Sequence, residues 1–207
     1  MFVPFSIGWW AESDGTAAVM ADGTTRHFPR GTVFRIAEWY GRAPNADDEG
    51  IRLNSVDIGA GIAEREKTLR ERLGIRHIHP GPADASIFDR MDDESIAMKI
   101  DHGYARAVGA SRVSEIFVPS NKAAGSRQRG LELLRTYLEA ALARPMEHPG
   151  LFVFDTCADW VRTVPVLPRS EKDPEDVDTQ AEDHAYDETR YRLVHERPRA
   201  FAVGFRL

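Results

Sequence analysis

The chain has 207 residues, of which 42% are hydrophobic and 29% charged, and it carries a net charge of −6. These values are ordinary for one globular domain with a buried core. No run approaches the roughly 18 apolar residues of a membrane span and no signal-peptide pattern opens the chain, so we expect a cytoplasmic protein. The single cysteine, Cys157, excludes an internal disulfide and a cysteine-based zinc cluster.

The first predicted elements are strands. Residues 5–11 and 16–20 flank a turn signal at residues 13–15 and predict a β-hairpin, and residues 21–23 form a second turn signal. Val33–Tyr40 alternates between two faces, as a strand requires. We therefore expect three antiparallel strands to open the fold.

The middle of the chain predicts two helices and two short strands. Ser55–Leu73 has apolar residues along one stripe and Gly74 after its last residue, which is typical of a helix. Residues 75–79 and 114–119 predict strands, and residues 94–102 predict a helix.

The last third predicts helices around a buried strand. Ser126–Leu142 is the clearest helix, because leucines recur along one face: Leu131, Leu134, Leu138 and Leu142. Residues 150–154 form an apolar run that suits a strand covered on both sides, and residues 158–164 predict a short helix. After a polar loop a C-terminal helix begins near Asp183, and residues 200–205 predict an edge strand.

The negative charge is concentrated in one segment. Residues 171–188 hold nine acidic residues and one lysine, a balance of −8, which leaves the rest of the chain at +2. An acidic loop beside a mildly basic body is compatible with binding a polyanion through metal ions and a few local bases. A solvated acidic loop without a partner explains the charge equally well.

Carboxylates near the C-terminal helix are the strongest candidates for a functional site. Asp183 and Asp187 are four residues apart, so they share one helix face, with His184 beside them. Carboxylates that lie together repel unless Arg, Lys or a hard divalent cation compensates. Asp84 follows a Pro-Gly-Pro turn and is expected at a strand end or helix start. Together these residues predict a metal site assembled from distant segments.

Five segments in a fixed order carry a resemblance to a known family. They are Phe5-Ser6-Ile7-Gly8-Trp9-Trp10, Arg35-Ile36-Ala37-Glu38-Trp39-Tyr40-Gly41, Ala83-Asp84-Ala85-Ser86-Ile87-Phe88-Asp89, Phe152-Val153-Phe154-Asp155-Thr156-Cys157 and Glu182-Asp183-His184-Ala185-Tyr186-Asp187. Over nearly its whole length the chain resembles the C-terminal nuclease domain of tailed-phage terminase large subunits.

The resemblance implies both a fold and an activity. It implies an α/β, ribonuclease-H-like fold, with a mixed central sheet flanked by helices, as a single nuclease-like domain over residues 1–207. Acidic residues of this family bind two divalent ions, Mg²⁺ or Mn²⁺, and cut concatemeric double-stranded DNA during packaging. The implied partners are DNA, the terminase ATPase domain, the small terminase subunit and the portal.

The chain departs from the family pattern at its start. The family's first catalytic aspartate, in an Asp-Trp-Gly segment, would fall before Met1, and no Gly-x-x-x-x-Gly-Lys-Ser/Thr loop for ATP occurs. The expectation is therefore a nuclease domain that lacks its first aspartate and the ATPase domain. The alternative is a catalytically inactive prophage fragment that folds and binds DNA or packaging partners without cutting.

The resemblance also implies roles for individual residues. Asp84 and Asp183 would bind metal directly, and Asp187 would bind a second ion or orient a water molecule. His184 would position the nucleophile, act as a general base or complete the metal shell, or else lie on the surface. Lys122 would contact DNA phosphates, together with Arg127 and Arg129 on the next helix.

Each of these roles has a simpler alternative. Asp84 and Asp183 are also favoured as N-caps of helices, and Asp183 could cap a helix and bind metal together. Asp187 could pair with Arg190 or Tyr191. A solvated helix face explains the basic cluster about as well as DNA contact does.

Overall fold

The computed structural model describes residues 4–44, 49–91, 93–113, 115–171, 173 and 175–195. Within these residues the protein is a mixed α/β structure with five α-helices and a mixed sheet. The chain divides into two compact units. The first unit comprises Met1–Ile51 and Ala123–Leu207, and the second unit comprises Arg52–Lys122. The edge strand predicted for residues 200–205 lies outside the described residues.

The elements follow one another in a mixed order. In chain order the strands are β1 (Ser6–Glu12), β2 (Ala18–Val19), β3 (Thr25–Arg26), β4 (Val33–Tyr40), β5 (Gly81–Ala83), β6 (Arg90–Met91), β7 (Glu94–Ser95), β8 (Phe117–Pro119) and β9 (Leu151–Val153). The α-helices are α1 (Ser55–Leu73), α2 (Ile96–Ala107), α3 (Ser126–Leu142), α4 (Ala158–Thr163) and α5 (His184–Val194). Short 3-10 helices cover Ala85–Phe88 and Val164–Val166. In the part of the chain described, none of the helices is long and apolar enough to span a bilayer.

The sheet of the first unit has β4 at its centre. β1 is antiparallel to β4 on one side, and β9 is parallel to it on the other. The predicted pairing of residues 5–11 with residues 16–20 is wrong, because β1 pairs with β4 while β2 pairs with β3. In the turn between β2 and β3, Asp22 Oδ1 accepts a hydrogen bond from Thr24 N at 2.9 Å, and Gly23 has a φ of 82°. Glycine adopts this left-handed conformation without strain.

Buried residues from the sheet, from three helices and from the loop before α5 form the core of the first unit. They are Val33, Leu131, Leu134, Leu151, Cys157, Trp160, Val177, Ala185 and Tyr186. The predicted bounds of α3 are confirmed, but only half of its leucine stripe is packed. Leu138 is 38% exposed and Leu142 is 80% exposed.

The second unit is centred on the packing of α1 against α2. A Cβ atom added at Gly59 would collide with the carbonyl oxygen of Ile100, and one added at Gly103 would collide with the carbonyl oxygen of Val56. The two glycines therefore allow the backbones of the helices to approach each other closely.

Helix ends in the second unit follow local capping signals. The predicted bounds of α1 are confirmed, since Asn54 Oδ1 accepts a hydrogen bond from Asp57 N at 2.9 Å and Gly74 has a φ of 64°. The helix α2 begins later than predicted because Ser95 Oγ caps it, accepting from Met98 N at 3.2 Å.

The strands of the second unit are shorter than the sequence predicts. The strand predicted for residues 75–79 is wrong, because β8 pairs in parallel with Gly81–Ala83 instead. A hydrogen bond from Ser120 N to the carbonyl oxygen of Ala83, at 2.8 Å, continues this pairing. Pro82 is tolerated there because each strand of a two-stranded sheet is an edge. This pairing brings residue 84 beside the end of β8.

Candidate functional site

The start of α5 carries three of the predicted site residues. Asp183 occupies the N-cap position of α5, and its side chain makes no capping hydrogen bond. Its carbonyl oxygen accepts the first helical bond, from Asp187 N at 2.8 Å. Ala185 and Tyr186, between the two aspartates, are buried in the core of the first unit. The core therefore anchors the helical turn that carries both carboxylates.

The Asp183 carboxylate is largely shielded from solvent. Its side chain is 12% exposed, and its Oδ1 lies 3.9 Å from Nδ1 of His184. Burial, and after it the negative charge of Asp187, raises the pKa of Asp183 to about 6, against the opposing charges of His184, Arg127 and Arg190. At neutral pH this carboxylate is ionised, and its negative charge is poorly compensated.

Asp187 is compensated by basic neighbours. Arg190 Nε donates to Asp187 Oδ1 at 2.7 Å, and Arg127 Nη1 lies 4.0 Å from the same oxygen. The Tyr191 hydroxyl donates to Asp187 Oδ2 at 3.4 Å. Arg190 is itself held in place, since its guanidinium lies 4.4 Å from the centroid of the Tyr191 ring. Both simpler pairings expected for Asp187 therefore occur.

The predicted phosphate-binding bases differ in their environments. Arg127 donates from Nε and Nη2 to the two carboxylate oxygens of Asp176, at 2.7 and 3.2 Å, which ties α3 to the acidic segment before α5. Arg129 is exposed on the first turn of α3. In the second unit, Lys122 Nζ lies 2.8 Å from Asp84 Oδ1 and both side chains are partly exposed.

Asp84 lies at the end of β5, as expected, and caps the 3-10 helix that follows. Its Oδ1 accepts a hydrogen bond from Ser86 N at 2.8 Å and one from Lys122 Nζ. The capping alternative for Asp84 is therefore observed. Because Asp84 belongs to the second unit and Asp183 to the first, the assembly of the two into one site stays a prediction.

The donor set at the start of α5 suits a hard cation but is incomplete. Among the described side chains, no group of three or more His, Cys, Asp or Glu is arranged to hold a metal ion. Asp183 and Asp187 supply two carboxylates one helical turn apart, and the shielded Asp183 lacks full positive compensation. Mg²⁺ and Mn²⁺ accept such oxygen donors and commonly keep several water ligands. The chemistry of these residues therefore fits a hydrated divalent cation.

A buried ion pair beside this site is a feature that the sequence predictions missed. Arg35 of β4 is fully buried and donates to the carboxylate of Glu188 on α5. One signal was present in the strand pattern, because Arg35 shares a face of β4 with Val33, Ala37 and Trp39. A charged residue on such an apolar face is expected to pair with a buried group of opposite charge.

Comparison with known proteins adds no relative. The chain matches no protein family, no curated protein and no solved structure. The resemblance to terminase nucleases therefore stays a prediction that the sequence motifs carry. The geometry contributes a shielded, poorly compensated carboxylate at Asp183, one helical turn from Asp187, at the start of α5.

Proposed function

We propose that this chain is a metal-dependent endonuclease domain of the kind found in phage terminases, with a ribonuclease-H-like fold. The observation that carries the proposal is the Asp183 carboxylate, which is 12% exposed and faces the negative charge of Asp187. A divalent cation would relieve both the burial of this charge and the repulsion between the carboxylates. Hydrolysis of a phosphodiester is the chemistry that such a site serves best.

The residues at the start of α5 have distinct parts in this mechanism. Asp183 and Asp187 would hold the cation, and the resemblance to terminase nucleases implies Asp84 as a further ligand. When bound, the metal would activate a water nucleophile and stabilise charge on the leaving oxygen. Arg190 keeps the Asp187 carboxylate oriented through its 2.7 Å hydrogen bond. His184, next to Asp183, would hold or accept a proton close to the nucleophile.

Double-stranded DNA is the proposed substrate, and basic residues would hold its backbone. Arg129, exposed on α3, and Arg127 would contact phosphates, with Lys122 contributing from the second unit. These contacts carry no base readout, so the proposed cleavage has weak sequence preference. The proposed setting is the cytoplasm of a host cell, where the ATPase domain, the small terminase subunit and the portal would be partners.

A second candidate function is DNA or partner binding without cleavage. The observation that favours it is the pairing of two predicted metal ligands with basic side chains. Asp187 accepts a hydrogen bond from Arg190, and Asp84 accepts one from Lys122. In this candidate the ammonium and guanidinium groups take the place of metal ions permanently, as a cation of either kind can compensate a carboxylate.

Nicking of supercoiled plasmid distinguishes the two candidates. The full chain is compared with Asp183→Asn and Asp84→Ala, each in Mn²⁺, Mg²⁺ or EDTA. Glu139→Gln, an equal charge change on the exposed face of α3, is the control. We expect cleavage that needs metal, survives in the control and is lost in Asp183→Asn. Folded protein that binds DNA without cutting it would favour the second candidate. Cleavage unaffected by Asp183→Asn would overturn the proposed site.

A further inference from the structure

Arg35 is a charged residue at the centre of the first unit. Its side chain is 0% exposed, and its guanidinium donates to the carboxylate of Glu188 on α5. The same guanidinium lies 3.3 Å from Ser6 Oγ, 3.5 Å from Glu38 Oε2 and 5.2 Å from the centroid of the Trp10 ring. A buried charge requires this degree of compensation. Arg35 therefore joins the central strand of the sheet to α5.

The other carboxylate oxygen of Glu188 is also engaged. Trp10 Nε1 donates a hydrogen bond to Glu188 Oε1 at 2.7 Å, so β1 and β4 both hold this one side chain. A carboxylate that accepts from two rigid, largely buried donors has little freedom to rotate. The direction in which Glu188 leaves α5 is therefore set by the sheet.

A second chain of contacts reaches the neighbouring residue of α5 through α4. The Glu38 carboxylate accepts hydrogen bonds from Asp159 N at 2.6 Å and Trp160 N at 3.2 Å, at the start of α4. Trp160 Nε1 in turn donates to Thr189 Oγ1 at 2.9 Å, and Thr189 is fully buried. Since Glu38 also contacts Arg35, the contacts close into a ring through β4, α4 and α5.

The ring controls the rotation of α5 about its axis. Successive helical residues point about 100° apart, so fixing Glu188 and Thr189 also fixes where Asp187 points, and it holds the helix end that Asp183 precedes as N-cap. A buried ion pair contributes little net stability compared with apolar packing, but its hydrogen bonds are directional. Orientation of the helix is therefore a better explanation of the buried pair than stability alone.

We propose that Glu188, through its contacts with Arg35 and Trp10, is a positioning residue that aims the Asp183 and Asp187 carboxylates at a divalent cation. The inference rests on the proposed function. Glu188 does not touch the cation; it acts through the helix. Residues that hydrogen-bond directly to metal ligands typically change metal affinity by about 10- to 100-fold when replaced, and we expect the lower end of that range for Glu188, which acts through the helix.

The test is the affinity of the full chain for Mn²⁺ alone, measured by electron paramagnetic resonance of the free ion. Asp183→Asn identifies the site on α5. Glu188→Gln keeps the size of the side chain and removes its charge, and Thr189→Val interrupts the ring at its neighbour. Arg192→Gln is the control, because the buried Arg192 forms another ion pair from α5, to the more exposed Glu12 of β1 at 2.8 Å. Circular dichroism and the thermal midpoint are recorded for every variant.

We expect Glu188→Gln to weaken Mn²⁺ binding by about tenfold while it remains folded. The control is expected to lower the thermal midpoint and leave the affinity unchanged. Unchanged affinity in a folded Glu188→Gln variant overturns the positioning role, as does an equal loss in the control. If Glu188→Gln does not fold, the Mn²⁺ affinity of Thr189→Val is compared with that of the control instead, and the same two outcomes support or overturn the positioning role. Failure of the unmodified chain to bind Mn²⁺ at Asp183 overturns the proposed function itself, a distinct outcome.

Discussion

The guanidinium of Arg127 on α3 forms two hydrogen bonds with the carboxylate of Asp176, at 2.7 and 3.2 Å. The pair fastens the acidic segment that precedes α5 to the helix beside it. The neighbouring Val177 is buried in the core of the first unit, so an ion pair and an apolar contact hold adjacent residues of this segment in place. Arg127 also lies 4.0 Å from Asp187, which makes it a link between the acidic segment and the proposed metal site.

The strength of this pair is testable with Asp176→Asn. Loss of a partly buried, charge-assisted pair is expected to lower the free energy of unfolding by about 2 kcal/mol. Urea denaturation followed by circular dichroism measures the change. Glu175→Gln is the control, because Glu175 is 73% exposed and lies 3.8 Å from Arg135. An exposed pair contributes only about 0–1 kcal/mol, so equal effects of the two changes would contradict the structural role of Asp176.

Protonation of Asp183 predicts a pH dependence of stability in metal-free protein. Its pKa of about 6 in the folded state lies above its ordinary value of 3.8, so the folded state binds its proton more tightly than the unfolded state does. This contribution to stability is fully present below pH 3.8 and is lost as the pH rises through 6. From pH 4 to pH 7 the unmodified chain is expected to lose about 2 kcal/mol of its free energy of unfolding through Asp183, and Asp183→Asn is expected not to show this loss. Urea denaturation midpoints of both proteins, measured in EDTA at both pH values, give this change. If the stability difference between the two proteins were the same at pH 4 and pH 7, the raised pKa of Asp183 would be ruled out.

Because α1 packs closely on α2, adding a single methyl group between the two helices is expected to lower stability strongly. Gly59→Ala adds a methyl group against the backbone of Ile100 and is expected to cost about 2–3 kcal/mol of stability through overpacking. Gly81→Ala is the control, because a Cβ atom at Gly81 meets nothing within 4 Å. Thermal unfolding of both variants measures the difference. A Gly59→Ala variant as stable as the control would show that the helices are farther apart than described.

If Arg129 contacts a DNA phosphate, replacing it should reduce the dependence of DNA affinity on salt concentration. Each cation that neutralises a phosphate contributes about one unit to the slope of log affinity against log salt concentration. Arg129→Gln is therefore expected to reduce that slope by about one on duplex DNA of any sequence, as measured by fluorescence anisotropy. Arg106→Gln, on exposed α2 surface of the second unit, serves as the control. Identical slopes for the two variants would mean that Arg129 does not contact the backbone.

Local sequence patterns predicted the elements whose ends are specified locally. The bounds of α1 follow from Asn54 and Gly74, which cap it, and β4 has the bounds predicted for it, Val33–Tyr40. Strand pairing was predicted less well, because the partner of β1 is chosen by distant contacts. The turn at residues 13–15 looks like a hairpin turn in isolation, but the pairing of β1 with β4 prevails.

The candidate site was likewise predictable only where local spacing determines it. The spacing of Asp183 and Asp187 predicts that they share a helix face, and the structure has both at the start of α5. The spacing carries no information on the burial of Asp183 or on the identity of its neighbours. Arg35 and Glu188 are 153 residues apart in the chain, and no local pattern joins them. The charged residue on an apolar strand face was the one available signal.

The most direct test of the proposed cation site is a crystal of the full chain soaked in Mn²⁺, with anomalous scattering used to locate the ion. We expect an anomalous peak bonded to a carboxylate oxygen of Asp183, about 2 Å away, with Asp187 as a ligand directly or through water. The same soak of an Asp183→Asn crystal should show no peak there. An Asp183 carboxylate without an ion at saturating Mn²⁺, with Asp187 still paired to Arg190, would contradict the proposed metal site.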